Sequence, residues 1–405
     1  MCFSARLLLL DMEPSERIAS LGFDSCIAKV DLRVEVFMKW INDYIDLKLL
    51  ALIALISALG IVIIASATDM MQFGLTREVK LQAISFGIGL VVMILVMLID
   101  YRILGDFYPV IYGVSVVFLL LVFIPGLGIK IAGATQWIKL GPIHFQTSEI
   151  AKLGAIIVMA KLFEKRYGKL DRFQDLFVPI LWLIPILGIL LIQPDLGTTL
   201  VIVFIFSGLA LVNGLNLKIV IVTLLTGLLS LPIVYNVLKP HQQQRIDAFL
   251  NPNDPTLVGN YQVLMSKITI GSGQVTGNGL FQGGFSANNF LPVQETDFIF
   301  AVLVEELGFV GGVVLIGMYF MLISRLIQVA FSARDQMGSN IVIGVILMLS
   351  FQIIENIGMT MGLFPVTGLV LPFMSYGSSA MVINMTAIGL VMSVYMRRRR
   401  IGGGL

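Results

Sequence analysis

The chain consists mainly of long apolar runs separated by shorter polar segments. A helix needs about 20 apolar residues, each rising about 1.5 Å, to cross a hydrocarbon core of about 30 Å. Runs of this kind occupy residues 48–67, 81–99, 107–126, 149–163, 177–194, 197–213, 217–238, 298–324, 339–363 and 376–396. The pattern predicts an all-α integral membrane protein of about ten transmembrane helices. The fourth run is short with polar ends, so we expect it to tilt or to begin inside a protein-lined cavity.

One long polar interval interrupts this pattern, at residues 239–297 between the seventh and eighth runs. Loops of this length are uncommon unless they are functional. We therefore predict one membrane domain over residues 38–400 with an elaborated extracellular loop at 239–297, followed by a tail at 401–405. Residues 1–37 are predicted to be a cytoplasmic lead, and our hypothesis is that Met38 is the true start of the protein.

Basic residues in short loops predict the orientation, because such loops face the cytoplasm. They cluster at 161–172 and at Arg397–Arg400. An even number of crossings then puts both termini in the cytoplasm, in a multi-pass protein of the bacterial cell membrane. It also puts segments 127–148 and 239–297 outside.

Composition supports this class, since 57% of the residues are hydrophobic and only 13% are charged. A net charge of +2 argues against a nucleic-acid partner, which would need a clustered basic face. Both cysteines, Cys2 and Cys26, precede the membrane domain and exclude a cysteine metal site within it. We expect the partners to lie among membrane components.

The long loop holds the first candidate for chemistry, Asp254, in an Asn-Pro-Asn-Asp-Pro stretch. The prolines restrict the backbone and would hold this carboxylate firmly, although an ordinary turn would need the same residues. Glycines at 271, 273, 277 and 279 allow an anion-binding backbone nest. Their spacing fits no phosphate motif, so plain loop glycines are the favoured reading.

Ionisable residues also lie at or inside the apolar runs, where charge is costly and usually faces a cavity or a partner. Asp297 borders the eighth run. Glu305 and Glu306 cannot share a helix face, so we expect one in the bundle and one at the interface. Glu149 and Lys152 could pair on one face, being three residues apart. For these and for Glu355 in the ninth run, structural and catalytic roles remain open.

Several strings together resemble the SEDS family of bacterial shape, elongation, division and sporulation proteins, and its rod-shape member more than its division member. They are GATQWIKLGPIHFQTSEIAKLG at 133–154, QPDLGTT at 193–199, the loop strings around Asp254, and NIGMTMGLFPVTGLVLPFMSYGSSA at 356–380. The last of these is highly specific. The resemblance runs in order from Met38 to Arg400.

This resemblance implies a ten-helix fold and an inverting glycosyltransferase that polymerises lipid II, the undecaprenyl-diphosphate disaccharide-pentapeptide. It also implies a class B penicillin-binding protein, a transpeptidase, as partner. Asp254 matches the position regarded as catalytic in the family. Positions that match the family's outer cavity are Glu149, Lys152, Arg245 and Lys267, and Ser375–Ser379 match its signature turn, with Ser375 as the predicted binding residue.

Three positions depart from the family pattern: Gln136 where Arg is usual, Thr147 where Pro is usual, and Ser378 where a second Gly is usual. The first leaves open which cation holds the diphosphate, and Lys139 and Arg245 are our candidates, with Lys152 ranked after them. A divalent cation, Mg²⁺ or Mn²⁺, held by carboxylates is a further candidate. Asp254 is the predicted general base.

Two rival functions remain. A lipid II flippase would use intramembrane charges to line a translocation path, but should carry them near the midplane in broken, symmetry-related helices. A non-catalytic scaffold for the transpeptidase would make Asp254 dispensable.

Overall fold

The computed structural model describes residues 44–398 except for 69–73, 132–133, 141–142, 167, 169, 171–172, 220, 223–224, 227–228, 230–234, 237–239, 253, 255–256 and 288–289. The predicted lead at 1–37 and the tail at 401–405 lie outside these residues, as does much of the seventh predicted span. The compact body of the protein begins at Lys48.

Helices account for most of the described chain, because a backbone in lipid must satisfy its own hydrogen bonds. The helices that match predicted spans are α1 (Leu47–Ala67), α2 (Arg77–Leu98), α4 (Tyr108–Leu121), α5 (Thr147–Glu164), α6 (Phe177–Ile192), α7 (Leu196–Val212), α11 (Ile299–Ser332), α12 (Gln336–Thr360) and α13 (Ser378–Met396). A short helix, α3 (Tyr101–Asp106), precedes α4. Six of the described helices are long and apolar enough to span a membrane. A multi-pass membrane protein is thereby confirmed, while the number of ten spans stays a prediction.

Helix α5 lies at the centre of the bundle, and nearly all of its residues are buried. It packs against α4, α7 and α12. In contrast, α2, α4 and α6 expose large apolar side chains such as Leu95, Val110 and Ile184, as expected of surfaces facing lipid tails.

Helices α2 and α13 form the most extensive helix pair of the described residues. Their backbones approach so closely that a Cβ atom at Gly389 would lie 2.7 Å from the Met93 carbonyl oxygen. Small residues at such contacts are typical of helix packing in membranes.

The long polar interval contains three helices: α8 (Pro240–Leu250), α9 (Val258–Ser272) and the short α10 (Gly284–Ala287). It therefore packs as a structured part of the protein. Its glycine-rich segment forms backbone hydrogen bonds with α11. Helix α11 is kinked at Gly308, where φ is +70°. The N–H groups of Asn278 and Gly279 donate to the carbonyls of Glu305 and Glu306, both at 3.0 Å. Because these amides are already bonded, the anion-nest reading is wrong.

The expectation for Glu305 and Glu306 was also wrong in part, because both are buried. Glu305 accepts hydrogen bonds from the backbone N–H groups of Phe285 at 2.7 Å and Ser286 at 3.1 Å. Glu306 accepts one from the Ser66 hydroxyl. The loop and α1 thus supply polar partners on two sides of α11, and neither carboxylate needs the interface.

A small antiparallel sheet, which the run analysis did not predict, precedes α5. Its strands are β1 (Gly128–Ile131), β2 (Ala134–Leu140) and β3 (Ile143–Gln146), in the order β1-β2-β3. Trp137 pairs with Gln146, and Lys139 pairs with His144. The strands carry Ile, Thr and Trp, residue types that favour an extended backbone. The sheet brings polar side chains over the start of α5.

Candidate active site

A cavity of about 370 Å³ lies where the sheet, the first turns of α2, α5 and α7, and the segments before α11 and α13 meet. Polar and charged side chains line much of it: Arg77, Gln136, His144, Gln146, Glu149, Asp195, Thr198, Arg245, Thr296, Asp297, Thr367, Tyr376, Ser378 and Ser379. Such a concave space with convergent polar groups is the usual form of a substrate site.

The start of α5 contributes Glu149, which is paired with Lys152 at 2.8 Å between Oε1 and Nζ. Glu149 lines the cavity, whereas Lys152 is fully buried beneath it and does not. The ion pair predicted from their spacing is therefore present. Since the ammonium of Lys152 already has a carboxylate partner, its direct effect here is to hold Glu149 in place.

Asp195 begins α7 as its N-cap, with Oδ1 accepting from the backbone N–H of Thr198 at 3.0 Å. This is the usual role of an aspartate at a helix start. Oδ2 of Asp195 and Oε2 of Glu149 are buried and have no hydrogen-bond partner among the described residues. Among the described residues, each of these two carboxylates in the cavity wall therefore has one oxygen with a hydrogen-bond partner and one without.

Arg245 on α8 reaches the cavity from the polar interval. Its Nη1 donates to the Thr367 carbonyl at 3.1 Å, and the Thr367 hydroxyl donates to the Glu355 carboxylate. Nearby, the Asn356 amide donates to the backbone carbonyl of Asp297 at 3.0 Å. Arg245, Asp297 and Thr367 thus line one side of the cavity, and Glu355 is linked to it through Thr367.

The pKa of Asp297 is raised to about 6. Burial is the largest cause, and the negative charge of Glu295 adds to it, while the Thr296 hydroxyl and the positive charge of Arg245 act in the opposite direction. Because its pKa is about 6, Asp297 can change its charge near physiological pH. It lies at the edge of the cavity, just before α11.

The segment before α13, residues 371–380, forms the opposite wall and is braced from two sides. Gln82 of α2 donates to the Ser375 carbonyl at 3.0 Å and accepts from the Gly377 N–H at 3.2 Å. The Ser379 hydroxyl donates to the His144 carbonyl at 3.1 Å and accepts from the Gln146 N–H at 3.1 Å. Ser375 itself is buried, and its Oγ accepts from the Leu371 N–H at 2.9 Å. It therefore supports the turn, and its neighbours line the cavity.

Asp254 lies in the turn between α8 and α9 and is exposed. The Asn260 amide donates to the carbonyls of Asn251 and Asp254, both at 2.7 Å, and holds the backbone of this turn. Asp254 does not line the main cavity. Its turn borders a smaller, largely apolar groove of about 70 Å³, to which Arg245, Pro252, Asn260 and Lys267 contribute. Arg245 lines both spaces.

The remaining predicted residues lie as follows. Lys267 is exposed on α9 in the smaller groove. Lys139 belongs to β2, and its side chain is outside the described part of the structure. Gln136 lines the cavity, where its amide accepts from Gln146 at 3.3 Å and donates to the Gln193 carbonyl at 3.4 Å. It bridges two segments and supplies no charge.

Sequence reasoning did not single out Arg77, Gln82 or Asp195. Arg77 was detectable as a charged residue just ahead of the second apolar run, at its predicted outer end. No three His, Cys, Asp or Glu side chains of the described residues come together as metal ligands. The divalent cation stays a prediction.

A model of the FtsW, RodA and SpoVE family, described as cell cycle proteins, matches residues 46–400. The chain belongs to this family. The membership confirms the resemblance of its motifs to the SEDS proteins.

Named SEDS relatives cover nearly the full length of the chain. A protein of Trichlorobacter lovleyi named probable peptidoglycan glycosyltransferase FtsW is 35% identical over 86% of this chain and 92% of its own. The peptidoglycan glycosyltransferase MrdB of Escherichia coli is 32% identical over 89% of this chain and 96% of its own. The identities are similar, so a closer relation to the rod-shape member stays a prediction.

Two solved structures have a similar fold. One, from a study of how a peptidoglycan synthase complex coordinates polymerization and crosslinking, is 34% identical, with a TM-score of 0.76 over 87% of this chain and 98% of its own. The rod shape determining protein RodA of Thermus thermophilus is 32% identical, with a TM-score of 0.66 over 88% of this chain and 98% of its own. These likenesses confirm the helical membrane architecture.

Proposed function

We propose that this SEDS protein polymerises lipid II into β-1,4-linked glycan and releases undecaprenyl diphosphate. The enzyme class follows from the family, since relatives matched over nearly their whole length are named peptidoglycan glycosyltransferases. The observation that carries the proposal is Arg245, which lines the charged cavity and also the groove bordered by the Asp254 turn.

The reaction joins two lipid-linked units. The 4-hydroxyl oxygen of one sugar forms a bond to C1 of the other, the bond from C1 to the diphosphate oxygen breaks, and the electron pair leaves with the diphosphate. A single in-line displacement inverts the configuration at C1, so no protein nucleophile is needed. The enzyme must accept the hydroxyl proton and stabilise the departing negative charge.

Asp254 is the proposed base. Its backbone is held by Asn260 while the residue remains exposed, so a sugar hydroxyl can reach the carboxylate at the edge of the groove. Arg245 is the proposed cation for the diphosphate, because guanidinium groups form paired hydrogen bonds with phosphate oxygens. Lys267 lines the same groove and adds positive charge there.

The positions of the charged residues favour an enzyme over a flippase. Arg77 is the first residue of α2, Glu149 lies in the first turn of α5, and Asp195 caps α7. A translocation path would carry such residues near the helix centres. We therefore regard the cavity as a site open to one side of the membrane, which the orientation predicts to be the outer side.

A class B penicillin-binding protein is the proposed partner. A similar protein was solved in work on a peptidoglycan synthase complex that couples polymerization to crosslinking. We further propose a role in elongation and cell shape, supported by the Met-Thr-Met-Gly sequence at 359–362.

The test uses purified full-length protein and lipid II, with and without the penicillin-binding protein, and measures glycan polymer on gels. Wild type should form polymer, and Asp254→Asn should form it about 10²–10⁴-fold more slowly while retaining lipid II binding. Asp106→Asn is the matched control, since its side chain is 72% exposed on α3 and lines neither space. Lipid II flipping by wild type without polymer formation would favour the transporter, and wild-type amounts of polymer from Asp254→Asn would remove Asp254 from the mechanism.

A further inference from the structure

Arg77 is a second arginine in the cavity wall. It is the first residue of α2 and is exposed, and Leu81, one helical turn later, lines the same cavity. Among the described residues, the arginines that line this cavity are Arg77 and Arg245, and no lysine lines it.

The position of Arg77 is fixed by the packing of α2. Val79 is buried, and Gln82 bonds the backbone of the 371–380 segment on both sides of Tyr376. Burial raises the pKa of the Tyr376 phenol, and Glu78 raises it further, whereas the positive charge of Arg77 lowers it. The guanidinium is therefore close enough to act electrostatically on the cavity wall.

Arg245 alone is poorly suited to neutralise a diphosphate. The carboxylates of Asp297 and Glu355 both act on its charge, and its Nη1 donates to the Thr367 carbonyl. Gln136, at the position where the family resemblance led us to expect a cation, is neutral and already bonded to Gln146 and Gln193. Lys152 is buried in its pair with Glu149. Among the described residues, a second cation in the cavity wall would therefore help to neutralise a polyanionic ligand.

We propose that Arg77 binds the diphosphate of the lipid-linked substrate, together with Arg245. This inference rests on the proposed function, because it takes a lipid diphosphate to be the ligand. An arginine suits the role, since its planar guanidinium matches two phosphate oxygens at once and keeps its charge at any physiological pH.

Kinetics with lipid II test the proposal. Replacing Arg77 by Gln should lower kcat/KM by about tenfold to hundredfold, as loss of hydrogen bonds to a charged group predicts, with most of the change in KM. Arg77→Lys should fall between that variant and wild type. Lys80→Gln is the matched control, because Lys80 lies exposed on the same helix, carries the same charge and does not line the cavity. It should behave as wild type.

A relocated arginine separates ligand binding from a structural role. In the double variant Arg77→Gln/Gln136→Arg, the cation returns to the same cavity from the sheet, and most of the lost activity should return. If Arg77 had only a structural role, an arginine at position 136 would not restore the activity. Wild-type kinetics for Arg77→Gln, an equal loss in Lys80→Gln, or no recovery in the double variant would each overturn the proposal.

Measurements of direct binding test the role of Arg77 without requiring polymerisation. Undecaprenyl diphosphate should bind wild type more tightly than Arg77→Gln by a similar factor, and undecaprenol should bind both equally. A wild type that failed to polymerise lipid II would defeat the proposed function, while this comparison would still decide the role of Arg77. Equal affinity of both proteins for the diphosphate would overturn it.

Discussion

The cavity and the Asp254 turn hold their polar residues in different ways. In the cavity wall the side chains themselves are fixed: Glu149 by buried Lys152, and Ser379 by the His144 carbonyl and the Gln146 N–H. At the turn Asn260 fixes the backbone, and Asp254 remains exposed. Groups that are already oriented stabilise a developing charge more strongly. Proton transfer to a carboxylate instead requires that the acceptor sugar can reach it. The two regions therefore suit different parts of one reaction.

The largest effect should come from the exposed region. Asp254→Asn removes the general base and should lower turnover by about 10²–10⁴-fold with little change in thermal stability, because the backbone bonds of Asn260 remain. Steady-state polymerisation and melting in detergent measure the two quantities. A variant that lost stability and activity together would place Asp254 with the structural residues, and the contrast between the regions would break.

The next effect should appear in stability. Lys152→Met leaves Glu149 buried without its cation and should lower the free energy of unfolding by about 3–5 kcal/mol. Lys161→Met on the same helix is the control. The Lys161 pairs with Asp106 and Glu164 are partly exposed and should contribute less than about 1 kcal/mol. The double variant Glu149→Gln/Lys152→Met should recover most of the loss, and failure to do so would argue against an uncompensated charge as the cause.

A substitution at Gln82 tests the wall formed by the 371–380 segment. Gln82→Ala leaves the Ser375 carbonyl and the Gly377 N–H without their partner and should lower the free energy of unfolding by about 1–3 kcal/mol. Gln352→Leu is the matched control, because Gln352 is equally buried and its amide has no hydrogen-bond partner among the described residues. We expect that control to be neutral or stabilising. Equal losses would mean that burial of the glutamine, and not the contact between α2 and the turn, carries the effect.

The membrane helices were predictable because crossing lipid imposes a length and a composition that one segment shows by itself. α1, α2, α12 and α13 therefore begin and end within a few residues of their predicted bounds. The small sheet was missed because strands as short as β1 and β3 carry little pattern. The seventh span stays a prediction, since residues 217–238 lie largely outside the described part of the chain.

The site was less predictable because it is assembled from distant segments. Arg77 and Ser379 line the same cavity although about 300 residues separate them in sequence. The pairing of Glu149 with Lys152 was accessible, since it needs only helical spacing. The partners of the glycine segment were not predictable, because the N–H groups of Asn278 and Gly279 find their acceptors on α11, more than 20 residues away. Local spacing carries no information about such partners.

The smallest effect concerns pH. Asp297 has a pKa of about 6, against an ordinary value of 3.8, mainly because its partly buried position shields the carboxyl from water. Its contribution to the stability of the fold is therefore complete below pH 3.8 and is lost as the pH rises through about 6. Over the same interval the ionised carboxylate increasingly offsets Arg245, so binding of undecaprenyl diphosphate to wild type should weaken relative to Asp297→Asn.

The ratio of the two affinities is the quantity to measure, because titration of the ligand's own phosphates cancels in it. The ratio should be near unity at pH 5 and should favour Asp297→Asn by about twofold to tenfold at pH 8, as a screened charge interaction predicts. Glu295→Gln should move the midpoint to lower pH, since the negative charge of Glu295 raises the pKa of Asp297. A ratio independent of pH would assign the titration to another group, and the cavity wall would then act through fixed charges alone.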